Sequence, residues 1–174
     1  MKRVWFIAAT VALAAGACGS GTLEPPPQAS SITFQLRNDG LSTVYLFENC
    51  TIDYTITSLA EPVHAVARVG TCACECSQAS CPVCGPCFAG PRDVGVGAAL
   101  AEYWSTVSVT TQPTSIGGTC EQRTPLPYGR YRIDVPVYPT VADATARMLG
   151  RTATQTFDLP VAGDAVDVQL GLSP

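Results

Sequence analysis

Apolar and polar residues alternate with a period of two along most of the chain after residue 31, a pattern typical of half-buried β-strands. The alternating segments lie at residues 32–36, 44–47, 50–56, 63–69, 99–109, 130–137, 157–159 and 166–170. The turn-forming sequence Asn38-Asp39-Gly40 separates the first two segments, so we expect residues 44–47 to return beside residues 32–36 as a hairpin.

About eight short strands at roughly regular spacing predict an all-β fold, an antiparallel β-sandwich. Residues 140–151 alone have a helical pattern, and this segment is short enough to be a crossover between strands. Tyr103 and Trp104 are neighbours on one predicted strand, so their side chains must face opposite sides of the sheet. We expect Trp104 on the core side.

The composition fits one globular domain and argues against nucleic-acid binding. The chain has 174 residues, of which 47% are hydrophobic and 14% are charged, so it can bury a core. Its net charge is −4, and Lys2 is its only lysine. Because lysine and arginine supply most of the affinity for phosphates, no nucleic-acid partner is expected.

The first 17 residues have the features of a signal peptide. Lys2 and Arg3 precede an apolar run at residues 4–15, which is shorter than the about 20 residues of a membrane span. The sequence Ala15-Gly16-Ala17-Cys18 resembles the lipobox of bacterial lipoproteins, in which cleavage precedes a cysteine that carries lipid. This resemblance implies a covalent lipid on Cys18, the one added group we expect, and membrane attachment through it. Cleavage as a conventional signal peptide, without lipid, is one alternative, and an uncleaved anchor is the other.

Residues 18–31 are predicted to be a tether, because a Gly/Ser-rich part is followed by a Pro-rich part. The sandwich domain then covers residues 32–174. Gly19, which stands directly after Cys18 in place of an aspartate, resembles the sorting signal of outer-membrane lipoproteins. We therefore expect a cell-envelope protein that is anchored in the outer membrane.

Nine cysteines are the most informative feature of the chain. Without Cys18 an even number remains, which suits disulfides in an oxidising compartment. The eight are Cys50, Cys72, Cys74, Cys76, Cys81, Cys84, Cys87 and Cys120. We expect one bridge between the two distant cysteines, Cys50 and Cys120, and three within a loop at residues 72–91. Bridge geometry favours loop pairs between residues 72–76 and residues 81–87, with the individual pairs left open.

Two alternatives use the same loop as free thiols. Thiolates bind Zn²⁺ or Cu(I), and the candidate ligands would be Cys72, Cys74, Cys76, Cys81, Cys84 and Cys87. Separately, Cys84-Gly85-Pro86-Cys87 resembles the active-site tetrapeptide of thioredoxins, which implies thiol redox chemistry at a helix N-terminus. Since the disulfide interpretation is preferred, no bound metal is expected.

Three short motifs resemble small bacterial immunoglobulin-like domains, a group that includes an intracellular proteinase-inhibitor family. They are Phe34-x-Leu36-x-Asn38, Tyr103-Trp104 and Gly129-Arg130-Tyr131. The resemblance implies an immunoglobulin-like sandwich in which an aromatic residue near a strand start packs across the two sheets.

Function is predicted from the loop, because the chain carries none of the common catalytic motifs. We expect a non-enzymatic binding or structural module of the cell envelope whose braced loop is exposed. Its partner would be an envelope protein or a polysaccharide. Protease inhibition by the rigid loop is a further alternative.

Overall fold

A computed structural model describes residues 30–78, 80–81, 83–114, 118–148 and 150–171. The predicted signal peptide, Cys18 and nearly all of the predicted tether lie outside the described residues. In the described part of the chain, no helix is long and apolar enough to cross a membrane.

Strands dominate the described residues, which confirms the all-β prediction. The strands are β1 (Ser31–Arg37), β2 (Val44–Asn49), β3 (Thr51–Ile52), β4 (Thr55–Ser58), β5 (His64–Val66), β6 (Ala89–Val94), β7 (Ala99–Ser105), β8 (Val107–Pro113), β9 (Thr119–Pro125), β10 (Gly129–Val137), β11 (Arg151–Leu159) and β12 (Ala165–Gln169). Helix α1 (Val141–Ala146) joins β10 to β11, and a 3₁₀ turn (Ala162–Asp164) precedes β12.

The strands form four sheets, with the orders β12-β1-β7, β11-β10-β4-β5, β3-β2-β6 and β8-β9. Each pairing is antiparallel except that of β1 with β12, which is parallel. The prediction of a purely antiparallel fold is therefore wrong at this pair. The chain reaches β12 from β11, in another sheet, so no hairpin forces the antiparallel direction there.

Sheets β12-β1-β7 and β11-β10-β4-β5 both contribute side chains to one apolar core. Five aromatic residues meet in it: Phe34, Tyr54, Trp104, Tyr131 and Phe157. The ring centroid of Phe34 lies 5.6 Å from that of Phe157 and 5.9 Å from that of Trp104, within the range of favourable aromatic pairs. Trp104 is buried and Tyr103 is exposed, which confirms the predicted orientation.

The predicted hairpin after residue 36 is wrong, because β1 and β2 belong to different sheets. The fully buried side chain of Asn38 explains the difference. Its Nδ2 donates to the carbonyls of Ser42 and Val94 at 2.9 and 2.8 Å, and its Oδ1 accepts from the N–H of Gly40 at 3.1 Å. These bonds hold an open bend that carries the chain from one sheet to the next.

Two long predicted strands are interrupted, and a third is shorter than predicted. Residues 99–109 divide into β7 and β8 at the buried Thr106. The Oγ1 of Thr106 accepts from the N–H of Ser30 at 3.0 Å, and its carbonyl accepts from the N–H of Leu126 at 2.9 Å. These bonds direct β8 away from β7, so that it pairs with β9. Residues 50–56 divide into β3 and β4, and only β5 forms within residues 63–69.

The predicted helix and loop also end earlier than expected. Helix α1 begins after Thr140, whose Oγ1 accepts from the N–H of Asp143 at 3.1 Å. It ends at Ala146, directly before Arg147, which has a left-handed φ of 53°. Gly90 and Pro91, predicted to lie in the cysteine-rich loop, belong to β6. A proline is tolerated there because β6 is an edge strand, which pairs with β2 alone among the described strands.

Candidate functional site: the cysteine-rich loop

Four disulfides connect the eight cysteines of the described chain. They are Cys50–Cys87, Cys72–Cys84, Cys74–Cys81 and Cys76–Cys120, with Cα separations between 4.8 and 5.6 Å. The predicted bridge between Cys50 and Cys120 is wrong. Cys50 follows β2 and is bonded to Cys87 in the later part of the loop. Cys120 lies in the β8–β9 hairpin and is bonded to Cys76 in the earlier part.

The first part of the loop, residues 72–76, lies along β9 and is called the inner limb here. The carbonyl of Cys74 accepts from the N–H of Glu121 at 2.7 Å, and the N–H of Cys76 donates to the Glu121 carbonyl at 3.0 Å. Glu75 and Glu121 thus form a short parallel β-bridge, beside the disulfide from Cys76 to Cys120. The inner limb therefore extends the hairpin by one short strand.

A small charged cluster reinforces this contact. The Arg123 guanidinium lies 3.6 Å from a carboxylate oxygen of Glu75 and 3.6 Å from one of Glu121. The other carboxylate oxygen of Glu121 accepts from the N–H of Gly70 at 2.8 Å, where the loop begins. These side chains are partly covered, so water and salt screen their attraction less than on an open surface.

The returning part of the loop, residues 83–88, is exposed to solvent and is called the outer limb here. Val83 is completely exposed and Phe88 is 56% exposed, although both side chains are apolar. Disulfides at Cys84 and Cys87 fix this limb, and the Phe88 carbonyl accepts from the N–H of Cys50 at 2.9 Å. The arrangement presents apolar groups to solvent on a cross-linked backbone without regular secondary structure.

The loop holds its sulfur atoms in disulfides rather than as thiolates. Within the tetrapeptide at residues 84–87, Cys84 binds Cys72 and Cys87 binds Cys50, and strand β6 follows it instead of a helix. In the described residues, no group of three or more histidine, cysteine or acidic side chains is placed to hold a metal ion. In this state the loop supplies neither the thiolate ligands nor the dithiol that the two alternatives require.

A second charged cluster, not predicted from the sequence, lies where β5 leads into the loop. The Arg68 guanidinium lies 3.9 Å from the ring centroid of Tyr54 and donates to the Ile52 carbonyl at 3.2 Å. Burial raises the pKa of Glu102 and outweighs the lowering effects of a hydrogen bond to the Ile52 backbone and of the nearby Arg68 charge. The burial of Glu102 could have been predicted from the sequence, because a residue two positions before the inward-facing Trp104 on a strand faces the same side.

Comparisons with protein-family models, with curated proteins and with solved structures find no match for this chain. The class that the fold and the loop define is a β-rich module braced by disulfides.

Proposed function

We propose that the chain is a lipid-anchored cell-envelope protein that binds a partner through the outer limb of its loop. The observation that carries this proposal is the double attachment of an exposed segment. One bridge ties the loop to Cys50 beside β2, and another ties it to Cys120 in the hairpin. Val83, between the loop cysteines of these two bridges, and Phe88, directly after the second of them, face solvent.

Rigidity is the physical reason to connect this geometry with binding. A flexible loop loses conformational entropy when a partner orders it, whereas a cross-linked loop has lost that entropy on folding. The exposed apolar side chains of Val83 and Phe88 then provide contact area at little further cost. The partner class is an envelope protein or polysaccharide that offers a complementary apolar surface.

An immunoglobulin-like sandwich is the scaffold we propose for this loop. The hydroxyl of Tyr131, near the start of β10, donates to the carbonyl of Pro127 at 2.8 Å. A tyrosine that bonds to the backbone a few residues upstream is a recurrent feature of immunoglobulin-like sandwiches. The aromatic core to which sheets β12-β1-β7 and β11-β10-β4-β5 both contribute supports the same assignment.

The loop can be tested by site-specific photo-crosslinking in intact cells. A photoreactive residue replaces Val83 in the outer limb or, as the control, Val141 in α1, which is also exposed. We expect a discrete adduct from position 83 that is absent from position 141 and is lost in the Cys72→Ser/Cys84→Ser variant. Equal adduct patterns from both positions, or none from position 83, would contradict binding through this limb.

The anchor is tested separately by metabolic labelling with an alkyne fatty acid. We expect the label on the wild-type chain and on Ser20→Ala, and none on Cys18→Ser, which should also leave the membrane fraction. Acyl chains anchor a protein stably at about 0.8 kcal/mol per buried CH₂, so loss of the lipid should release the chain. Labelling of Cys18→Ser, or its retention on membranes, would argue against the lipid anchor.

A protease-inhibitor-like role is the second candidate, and the full exposure of Val83 on a cross-linked limb favours it. Such a limb fits an extended protease cleft with a small apolar specificity pocket. Inhibition of an elastase-type protease should be lost in Val83→Asp and kept in Val141→Asp. Cleavage of the wild-type chain after residue 83 without inhibition would exclude this role.

A further inference from the structure

A cavity of about 470 Å³ opens where the bend after β1, the chain on both sides of α1 and the end of β12 meet. Its volume falls within the range of about 300–1,000 Å³ that is common for small-molecule sites. The walls are mainly apolar and include Leu41, Val44, Val137, Tyr138 and Pro139. Leu41 is 85% exposed and stands at the rim, whereas Val137 and Tyr138 are buried.

The cavity walls are fixed by contacts that leave little room for rearrangement. The hydrogen bonds of Asn38 hold the bend, and the Leu170 N–H donates to the Arg37 carbonyl at 2.7 Å. Gly171 packs so closely on Gly40 that a Cβ atom would overlap the Gly40 backbone. The cavity is therefore preformed, which lowers the cost of filling it.

One charged side chain lines this apolar space, that of Arg151 at the start of β11. It belongs to the inward-facing set of that strand, with Ala153 and Phe157, and it stands opposite Val137 on β10. In the part of the chain that the structure describes, Arg151 has no ion pair, side-chain hydrogen bond or aromatic ring contact. The other described arginines each have such a partner: Arg37, Arg68, Arg92, Arg123, Arg130, Arg132 and Arg147.

We infer that this cavity binds a small amphiphilic carboxylate, with its apolar chain against the cavity walls and its carboxylate on the Arg151 guanidinium. A half-buried guanidinium gains most from an anion that accepts two parallel hydrogen bonds, and a carboxylate has that geometry. An eight-carbon chain fits the size, because its ten heavy atoms need on the order of 300 Å³ at roughly 30 Å³ each. This site does not involve the cysteine-rich loop and is independent of the proposed function.

Octanoate is the probe, and the full chain carries Cys18→Ser so that no acyl group competes. We expect saturable NMR shifts at the amides of Gly40, Arg151 and Gly171, and weaker binding of octylammonium, which has the same chain and the opposite charge. Arg151→Gln should lower octanoate affinity about tenfold or more, which is ~1.4 kcal/mol per tenfold. Arg130→Gln, at the other end of the β10–β11 hairpin, is the matched control and should leave affinity unchanged.

The rim provides a second pair of variants that do not disturb the core. Because Leu41 is exposed, Leu41→Glu and Leu41→Lys should both fold. The glutamate should weaken octanoate binding and the lysine should keep or strengthen it. Equal binding of octanoate and octylammonium, or equal effects of the two Leu41 variants, would overturn the inference. The absence of saturable octanoate binding would also overturn the inference. A chain that dimerises through this cavity, with copies that Leu41→Glu separates, would be one such result.

Discussion

Removal of the Cys76–Cys120 bridge measures what the attachment of the loop contributes to the whole fold. This bridge joins residues 44 positions apart, whereas Cys74–Cys81 joins residues only 7 apart. A bridge stabilises the fold chiefly by limiting the unfolded chain, and its effect increases with the logarithm of the loop it closes. The double variant Cys76→Ser/Cys120→Ser should therefore lose more stability than Cys74→Ser/Cys81→Ser.

The two separations give different magnitudes. At 25 °C the loop-closure relation predicts a loss of about 4 kcal/mol for the longer loop and about 2.4 kcal/mol for the shorter one. With a urea dependence of about 2 kcal/mol per molar, the midpoints should fall by roughly 2 M and 1.2 M. The ranking of the two variants is the sharper test, because both replace two cysteines with serines.

Urea unfolding followed by Trp104 fluorescence is a suitable assay. Trp104 is 3% exposed in the aromatic core, so its emission should move to longer wavelength when the two sheets separate. The reasoning would be refuted if the urea midpoint of Cys76→Ser/Cys120→Ser equalled that of the wild type. It would also be refuted if both variants had the same midpoint below that of the wild type.

Three further predictions concern the β-sheets and their core. Tyr131→Phe removes the hydrogen bond to Pro127 and should lower the free energy of unfolding by about 0.5–1.5 kcal/mol, measured by urea titration. Gly171→Ala should cost about 1–3 kcal/mol in the same titration, because its Cβ would overlap the Gly40 backbone. Burial raises the folded-state pKa of Glu102, so stability should fall as pH rises from the ordinary glutamate pKa towards the raised value. Glu102→Gln should remove that fall, and an unchanged profile of stability against pH would contradict the assignment.

The alternation of residues predicted the all-β class and the burial of Trp104, but it did not predict which strands are neighbours. Period two determines which face of a strand is buried, whereas pairing depends on where the chain goes after each strand. The sequence Asn38-Asp39-Gly40 indicates a turn of some kind. The form of that turn, an open bend instead of a hairpin, depends on the distant residue Val94, whose carbonyl accepts from the Asn38 side chain.

In the cysteine-rich loop, too, the sequence predicted the kind of bond but not which residues are joined. The cysteine count predicted disulfides, whereas the partners of Cys50 and Cys120 depend on the course of β8 and β9. Thr106 redirects that part of the chain, and its tertiary hydrogen bonds leave no local signal in the sequence. The absence of a partner for Arg151 among the described residues could not be predicted either, since pairing partners come from other elements.

The loop and the β8–β9 hairpin depend on each other. A two-stranded hairpin is marginal in water, and β8 and β9 pair with each other but with no other named strand of the described chain. The inner limb supplies the missing neighbour through Glu75 opposite Glu121, and the hairpin supplies Cys120, which holds that limb in place. The Cys72–Cys84 bridge ties the outer limb to the inner limb, so the position of the outer limb relative to the sheets is determined partly by the hairpin. Substitutions that loosen β8 or β9 should therefore weaken the proposed recognition at the outer limb, although they lie outside that limb.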